Sequence, residues 1–518
     1  MSHLAKHPCP HAGQAGGAGS AEQGAEPRRH AGRVPWPGAI AVVADDLTGA
    51  MDGGVQLLPR TAVEVLVSAA GAVPSAVMAG SGQTHARGNP PPDASARIAP
   101  AEDASVLPVI NTQSRGVPPH EASARVRAAC RELSAAGRTL WFKKIDSTMR
   151  GNVGAELAAV HEALAPCVIV CTPALPEQGR TVQDGVLLVA GGPAMATPYR
   201  DEIPTAPGAA ASSAVIDIVR RQWPGCRTAH LPARPCRRQV DAVVGGPVDL
   251  VVADAAGDRD LTALAAAAGG LARGGRRLVW AGSAGLLRAL ALAGASRLDA
   301  APRSDGDDSV GDSEPAHRAP LVLVCGSRRR LARTQVDFAA AAADPLMVHR
   351  SAPSGAAACA HRWHATGDAA GGPPGSLSAA DAVAVSAKAL AGGRDLFLCA
   401  PPPAEPAARP SASVAETVAA DLADLAARAL AAAAVRPRAL LLVGGDTAYA
   451  CLRRLHIRRL VLCGEAEPYV PWGRVLGGPW GGLLVVTKAG GFGDRHTLHR
   501  ICGTPWAQAG QVGPDAAP

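Results

Sequence analysis

The chain has 518 residues, too many for one compact core, so its length predicts two domains. Its hydrophobic fraction of 47% is ample for folded domains, and its aromatic fraction is only 3%. The formal net charge of +7 owes much to two arginine clusters, at 328–333 and 453–459, which lack the interleaved aromatic residues of a nucleic-acid-binding face. We therefore expect no nucleic-acid partner and favour a small anionic ligand.

The spacing of the cysteines and the shortness of the apolar runs exclude further classes of protein. Twelve cysteines without any CxxC pair do not make a disulfide scaffold or a zinc ribbon. No apolar run approaches the ~18 residues of a membrane span, and the N-terminus lacks the apolar segment of a secretory signal. We therefore expect a cytoplasmic protein with no membrane partner.

Segments without hydrophobic periodicity divide the chain. The first of them is predicted to be disordered, and a second, rich in Asp, Gly and Ser, is predicted to be a linker. The resulting boundaries are a tail at 1–37, a first domain at 38–295, a linker at 296–318, a second domain at 319–510 and a tail at 511–518. Smaller interruptions at 79–104 and 351–376 are predicted to be surface insertions.

Within each predicted domain, short aliphatic strands alternate with helices of Ala/Leu periodicity. The predicted strands are 39–44, 63–67, 106–110, 139–142, 168–171, 250–253 and 278–281, followed by 321–325, 396–399, 440–443, 460–463 and 483–487. Strands that are aliphatic throughout predict an α/β fold in which each domain is a mostly parallel sheet flanked by helices. Because ligands of such sheets bind beyond the carboxyl ends of the strands, we expect the active site there, in the cleft between the domains.

Two adjacent acids, Asp45 and Asp46, follow the first predicted strand. Buried acids are costly unless they bind a cationic or polar group, and a turn here would aim both into one cleft. The alternative is a cap for the next helix, which Asp46 or Thr48 could provide. Capping does not require two acids, so we favour a ligand-binding role.

The run Lys143–Asn152 follows another predicted strand and packs three cations, one acid, two hydroxyls and a glycine into ten residues. Lysine and arginine suit a carboxylate or phosphate, and a solvated surface loop is the alternative. The runs Asn111–Arg115 and Thr172–Thr181 follow two further strands with similar groups. Together these strand ends predict a pocket for a small polyhydroxylated anion.

Three strands of the second predicted domain end in glycine turns. These turns contain Gly326-Ser327, Gly444-Gly445-Asp446-Thr447 and Lys488–Asp494, which has a lysine at its mouth. Glycine turns at helix N-termini present backbone N–H groups to phosphates, so the three predict a nucleotide site. Neither GxxxxGK[ST] nor a GxGxxG after the first strand of either domain is present, which excludes a P-loop enzyme and counts against an NAD-dependent oxidoreductase. An acid-binding and a nucleotide-binding domain suggest phosphoryl transfer.

Five runs together resemble the four-carbon acid sugar kinase family. They are 43–50, 143–152, 176–181, 444–448 and 488–494, in the family's order, within a resemblance that covers about residues 38–500. The resemblance implies an N-terminal sugar-acid-binding domain and a C-terminal ATP-binding domain. It also implies phosphorylation of the terminal hydroxyl of threonate, erythronate or a 3-oxo relative. The chain departs from the family pattern at Gln113, usually Arg, and at Glu467–Pro471, where a Gly-Val-Pro turn is usual.

We assign roles in substrate binding, catalysis and ATP binding to individual residues as hypotheses. Arg115, Lys144 and Arg150 are assigned to the substrate carboxylate and to the charge of the transferred group, and Asp45, Asp46 and Asp146 to substrate hydroxyls. Asp46 or Asp146 would accept the proton of the attacking hydroxyl. The predicted ATP ligands are Ser327, Gly444, Gly445, Asp446, Thr447, Lys488, Gly490, Gly491 and Gly493, with Lys488 also neutralising developing charge.

Mg²⁺ is expected as the counter-ion of the phosphates, with Asp446 as one candidate ligand. A non-catalytic sensor of the same ligands and a kinase of a longer aldonate stay open as alternatives, and so does self-association into a homo-oligomer.

Overall fold

The computed structural model describes residues 40–67, 106–204, 212–268, 272–273, 276–293, 319–350, 363–366, 376–401 and 412–503. The strands up to residue 293 are β1 (Ile40–Ala44), β2 (Ala62–Leu66), β3 (Val106–Asn111), β4 (Thr139–Lys144), β5 (Cys167–Thr172), β6 (Arg180–Gln183), β7 (Val186–Val189), β8 (Gly192–Pro193), β9 (Thr228–Leu231), β10 (Leu250–Ala253), β11 (Ala272–Arg273) and β12 (Arg276–Gly282). The helices of this half are α1 (Leu47–Gly54), α2 (Pro119–Ala135), α3 (Val153–Leu164), α4 (Val215–Arg220), α5 (Arg237–Val244), α6 (Asp258–Ala268) and α7 (Ala284–Ala293).

The second half of the chain repeats the alternation of strand and helix. Its strands are β13 (Leu321–Cys325), β14 (Leu346–Arg350), β15 (Trp363–Thr366), β16 (Ser376–Leu377), β17 (Leu396–Cys399), β18 (Ala439–Val443), β19 (Arg459–Glu467), β20 (Val470–Val475) and β21 (Leu484–Lys488). Its helices are α8 (Arg330–Ala343), α9 (Ala379–Ala391), α10 (Ala412–Ala433), α11 (Gly445–Arg454) and α12 (Thr497–Gly503).

Each half is built on a parallel core. In the first half the strands run β9-β10-β5-β12-β4-β1-β3-β2, and every neighbouring pair is parallel. In the second half β14-β17-β13-β18-β21 are parallel, and β20 and β19 follow antiparallel. Strands such as β1 and β18 are buried at every residue, as expected where helices cover both faces. The predicted two-domain α/β fold is confirmed.

The two halves meet edge to edge. Strand β19 pairs antiparallel with β2, with Arg459 opposite Leu66 and Val461 opposite Glu64, so one hydrogen-bonded sheet runs through both halves. Arg459 also forms an ion pair with the buried carboxylate of Glu64. This pairing makes a single sheet where two were predicted, because a strand edge gives no signal of its partner in the sequence.

Every predicted strand falls on an observed one. The strands that the pattern missed are β6, β7, β8, β9, β11, β14, β15, β16 and β20. The predicted insertion 351–376 contains β15, which pairs antiparallel with β14, and residues 351–362 and 367–375 of it lie outside the described residues. The predicted tails 1–37 and 511–518, the linker 296–318 and the insertion 79–104 lie outside the described residues. Among the helices that are described, none has both the length and the apolarity to cross a bilayer.

Candidate active site

The carboxyl ends of the central strands of the first half lie in one row. Ala44 at the end of β1 is in register with Asn111 of β3 and with Lys144 of β4, and Gly282 of β12 is in register with Lys144. Parallel pairing therefore brings the loops after β1, β3 and β4 to the same edge of the sheet. These are the loops that carry the predicted acid-binding residues.

Asp45 and Asp46 share one guanidinium, that of Arg115. Nε and Nη2 of Arg115 donate to Asp45 at 2.7 and 3.1 Å, and Nη1 and Nη2 donate to Asp46 at 2.7 and 3.0 Å. Burial raises the pKa of Asp45, but Arg115 and then Lys143 and Lys144 outweigh it, so the pKa lies below its ordinary value. Both acids are thus held beside one cation at the sheet edge.

Asp46 also caps α1, as the alternative interpretation proposed. Its Oδ1 accepts the backbone N–H of Gly49 at 2.7 Å, and its Oδ2 accepts the hydroxyl of Thr48 at 2.8 Å. Asp45 does not cap the helix, so capping accounts for one of the two acids. Helix capping therefore does not explain the presence of both acids.

Asp146 lies next to this cluster in the loop after β4. Arg150 donates to it through Nε and Nη2, at 2.8 and 2.6 Å, and Arg115 Nη2 lies 3.7 Å from its Oδ1. The N–H and the hydroxyl of Thr148 also donate to its Oδ2. Burial raises the pKa of Asp146, but Arg150 and Arg115 together set it well below the usual range. Asp146 is therefore a firmly ionised and weakly basic group.

The adjacent lysines at the end of β4 face opposite sides of the sheet, as strand geometry requires. Lys143 is fully buried and pairs with Glu156 of α3 at 2.5 Å, and its charge also helps to lower the pKa of Asp45. Lys144 lies 3.3 Å from Asp52 of α1 and belongs to the cluster. Burial, above all, raises the pKa of Asp52 to about 7, so this acid neutralises Lys144 only in part near neutral pH.

The glycine turns of the second half converge around Ser327 and Thr447. A β-carbon placed on Gly326 would collide with the Thr447 hydroxyl, and one on Gly490 would collide with the Ser327 side chain. Gly444 has a φ of +107°, which few other residues adopt, and its N–H is donated to the carbonyl of Lys488. The turns after β13, β18 and β21 thus pack closely together, and we call this group of glycine turns the cradle.

Lys488 is fully buried, which corrects the prediction that it lies at the mouth of its glycine loop. It is the last residue of β21, has no exposed surface, and donates from Nζ to the carbonyl of Ala489 at 3.0 Å. Burial lowers its pKa to about 8. The neighbouring Thr487 hydroxyl is buried without a hydrogen-bond partner in the described residues. Gly493 packs against Thr497 at the start of α12 and takes a φ of +81°.

The two groups of strand ends come into contact at the N-terminus of α11. A β-carbon on Gly445, the first residue of α11, would lie 2.6 Å from Oδ2 of Asp46. Nε2 of Gln113 donates to Asp446 at 3.1 Å. Burial and the nearby Asp46 raise the pKa of Asp446. The N-terminus of α11 therefore lies directly against the acid cluster, without an intervening layer.

Three residues of this region were not predicted as site residues: Tyr199, Glu202 and Arg329. Glu202 accepts from Arg150 at 3.0 Å and from Arg329 at 2.8 Å, and the Arg329 guanidinium lies 4.5 Å from the centre of the Tyr199 ring. Tyr199 and Glu202 belong to a short turn between β8 and α4, remote from any strand end. Only the arginine cluster at 328–333 signalled a ligand here.

The altered run Glu467–Pro471 forms the tip of the hairpin between β19 and β20. Tyr469 at the tip has a φ of +61° and donates its hydroxyl to Glu177 of the first half at 2.7 Å. Its ring packs edge to face against Phe492 of the glycine loop, with centroids 6.1 Å apart. The tip therefore ties the glycine loop to the first half of the chain.

The described part of the chain offers few side chains that could bind a metal ion. Within the described ranges, no group of three or more His, Cys, Asp or Glu side chains is placed to hold a metal. Mg²⁺ in nucleotide enzymes is usually held by one or two carboxylates together with the phosphates. Asp446, in the first turn of α11, fits that pattern as a single carboxylate beside the cradle.

Comparisons with known proteins divide the chain into the same two halves. A family model described as a sugar-binding N-terminal domain matches residues 40–290, and one described as a nucleotide-binding C-terminal domain matches 322–498. A D-threonate kinase from Bordetella bronchiseptica is 31% identical, covering 89% of this chain and 96% of the relative. A 3-oxo-tetronate kinase from Methylobacterium radiotolerans is 30% identical, covering 71% of this chain and 81% of the relative.

A solved structure supports the fold independently. It is of a Salmonella typhimurium protein with a TM-score of 0.57 and 22% identity, covering 89% of this chain and 98% of that chain. At that identity the likeness shows the fold alone. The matched halves and the full-length relatives show that the chain belongs to the four-carbon acid sugar kinase family.

Proposed function

We propose that this protein transfers the γ-phosphoryl group of ATP to the terminal hydroxyl of a four-carbon sugar acid of the threonate or 3-oxo-tetronate type. One observation carries the proposal: the N-terminus of α11 lies against the carboxylate of Asp46. A helix N-terminus favours phosphate, and a carboxylate accepts a hydroxyl proton. The groups that phosphoryl transfer requires are therefore adjacent.

On the acid side, Lys144 is the cation that we assign to the substrate carboxylate. Its partner Asp52 has a pKa of about 7 and leaves part of its charge uncompensated. Arg115 uses its donors on Asp45 and Asp46, so we assign it to holding those acids toward the substrate hydroxyls. Arg150 holds Asp146 in the same way from the other side.

On the nucleotide side, the cradle suits a phosphate chain because its turns are built from glycines, which place no side chain between a phosphate and the backbone. ATP supplies the transferred phosphoryl group when it is bound. The N–H groups of the first turn of α11, which no side chain caps, would hold phosphate oxygens, with Ser327 and Thr447 beside them. We propose Asp446 as a ligand of Mg²⁺, and the cytoplasm, where ATP is available, as the compartment.

The experiment that tests the function measures ADP release from ATP and Mg²⁺ against D- and L-threonate, D- and L-erythronate, 3-oxo-tetronates and five-carbon aldonates. We expect turnover on a four-carbon acid, with a phosphate monoester at the terminal carbon in the ³¹P NMR spectrum. A reaction without acid measures background ATP hydrolysis. If the full panel gives no more ADP than this background while ATP binds in calorimetry, the proposed function is wrong.

A substitution at Gly445 tests the contact that carries the proposal. We expect Gly445→Ala to lower kcat about 10²-fold, because the new methyl group displaces the Asp46 carboxylate from its position. Moving the buried Asp46 carboxylate disturbs its hydrogen bonds with Arg115, so the free energy of unfolding should fall even though alanine is the better helix former by about 1 kcal/mol. Gly503→Ala, at the end of α12 with no atom within 4 Å of its new methyl group, is the matched control. An unchanged kcat in Gly445→Ala would contradict a catalytic role for the contact between α11 and the Asp46 carboxylate.

The buried Lys488 predicts a pH dependence of ATP binding. Its pKa of about 8 means that it is mostly charged at pH 7.5 and mostly neutral at pH 9. If ATP binds beside the charged form, the affinity measured by calorimetry should fall roughly 5- to 10-fold over this interval. Lys488→Arg stays charged throughout and should flatten the profile.

The stability of the ligand-free protein should also depend on the ionisation of Lys488, but in the opposite direction to the ATP affinity. The pKa of Lys488 is lower in the folded protein than its ordinary value, so between about 8 and 10.4 the unfolded chain binds more protons. Stability attributable to this residue therefore rises with pH across that window. An ATP affinity that is constant between pH 7.5 and 9 would remove Lys488 from the phosphate site.

A further inference from the structure

Three guanidinium groups surround the ring of Tyr199. Arg329 lies 4.5 Å from the ring centroid, Arg180 5.8 Å and Arg150 5.9 Å, and Nη2 of Arg180 donates to the tyrosine hydroxyl at 3.1 Å. Guanidinium planes stack favourably on aromatic faces, so Tyr199 holds this group of cations together. Two carboxylates, Asp146 and Glu202, accompany the three arginines, which leaves the cluster with an excess of positive charge.

Arg329 reaches this cluster from the nucleotide side. It lies two residues after the Gly326-Ser327 turn, and its Cγ lies 3.7 Å from a β-carbon placed on Gly490. A β-carbon on Gly491 would lie 3.5 Å from the Tyr199 hydroxyl. The side chain of Arg329 therefore crosses over the glycine loop that forms one wall of the cradle, and its charged end lies between that loop and the acid site.

Glu202 holds this charged end in place. Its Oε1 accepts from Nη2 of Arg329 at 2.8 Å, and its Oε2 accepts from Nη1 of Arg150 at 3.0 Å. One carboxylate thus joins an arginine of the nucleotide side to an arginine that also binds Asp146 of the acid site. The Glu202 carboxylate is one-third exposed, so its two ion pairs add little to the stability of the protein. Their effect is to fix the positions of the two guanidinium groups.

We propose that Arg329 binds the terminal phosphate of the nucleotide triphosphate, with Glu202 as its positioning residue. The inference rests on the proposed function and adds to it a phosphate ligand that none of the glycine turns supplies. A guanidinium fork matches phosphate oxygens in a bidentate way, and a positive group at the transferred phosphoryl offsets the charge spread over its oxygens. Stacking on Tyr199 fixes the plane of the fork before the phosphate arrives.

The test compares the affinities of ATP, ADP and AMP for the full chain by calorimetry, without sugar acid. Arg329→Ala should weaken ATP about 10- to 100-fold and ADP less than about 3-fold, because only ATP carries the terminal phosphate. Arg330→Ala removes the same charge one residue further on, at an exposed position, and should change none of the three affinities. Equal weakening of ATP and ADP by Arg329→Ala would overturn the assignment to the terminal phosphate.

The positioning role is read from a double-mutant cycle. Glu202→Gln should weaken ATP less than Arg329→Ala does, and the double variant should bind ATP no more weakly than Arg329→Ala alone. Additive losses would show that Glu202 acts separately from Arg329. These measurements need no turnover, so a silent sugar-acid panel would defeat the proposed function and leave the ATP-over-ADP comparison to decide the inference by itself.

Discussion

Replacing Asp46 with asparagine should lower kcat for sugar-acid phosphorylation about 10²- to 10⁴-fold while ATP still binds. The sequence left the proton acceptor open between Asp46 and Asp146, and the structure favours Asp46. Asp146 is held well below its usual pKa by two arginines and is a weak base. Asp46 faces the first turn of α11, where the phosphates are proposed to lie. Its carboxylate is therefore the better placed of the two.

Asparagine removes the basicity of this group and also the negative charge that pairs with Arg115. It has the shape of aspartate and is equally good at a helix N-cap, so α1 should stay intact. We expect Asp146→Asn to raise KM more than it lowers kcat, because Asp146 orients Arg150 and the substrate. Kinetics of both variants, with thermal unfolding as the control for folding, separate the two roles. A near-normal kcat in Asp46→Asn together with a collapse in Asp146→Asn would reverse the assignment.

The sequence could predict those parts of the site that follow a strand end. Asp45, Asp46, Arg115 and Asp146 come directly after buried aliphatic strands, and parallel pairing necessarily gathers such positions at one edge. The glycine turns of the second half were predictable for the same reason. Periodicity fixes where a parallel strand ends, and the end of the strand fixes where its loop lies.

The remainder depends on contacts that periodicity does not encode. Glu202 and Tyr199 lie on a short turn that the chain folds back toward Arg329, a residue more than a hundred positions away. The pairing of β19 with β2 likewise joins two edges whose sequences carry no mark of each other. Lys488 was expected at the mouth of its glycine loop, yet it has no exposed surface. Each of these depends on tertiary packing and not on local pattern.

Replacement of Arg115 should destabilise the folded protein strongly. Its guanidinium contacts Asp45 and Asp46 directly and lies 3.7 Å from Asp146, so Arg115→Met leaves three buried acids facing one another. Breaking a buried ion pair on one side costs about 3–5 kcal/mol, because the remaining charge is uncompensated. We expect a loss of that size in the free energy of unfolding at pH 7, measured with urea. Arg127→Met, which breaks an exposed pair with Glu162, should cost less than about 1 kcal/mol.

The pH dependence distinguishes lost charge compensation from lost packing. In the native protein the pKa values of Asp45 and Asp146 lie below their ordinary values, so they add stability above about pH 4 that is lost as the pH falls. Without Arg115 these pKa values rise, and protonation relieves the repulsion among the acids. The stability difference between Arg115→Met and the native protein should therefore shrink as the pH is lowered from 7 toward 4. A difference that stays constant over this range would mean that Arg115 acts by packing, since packing does not titrate.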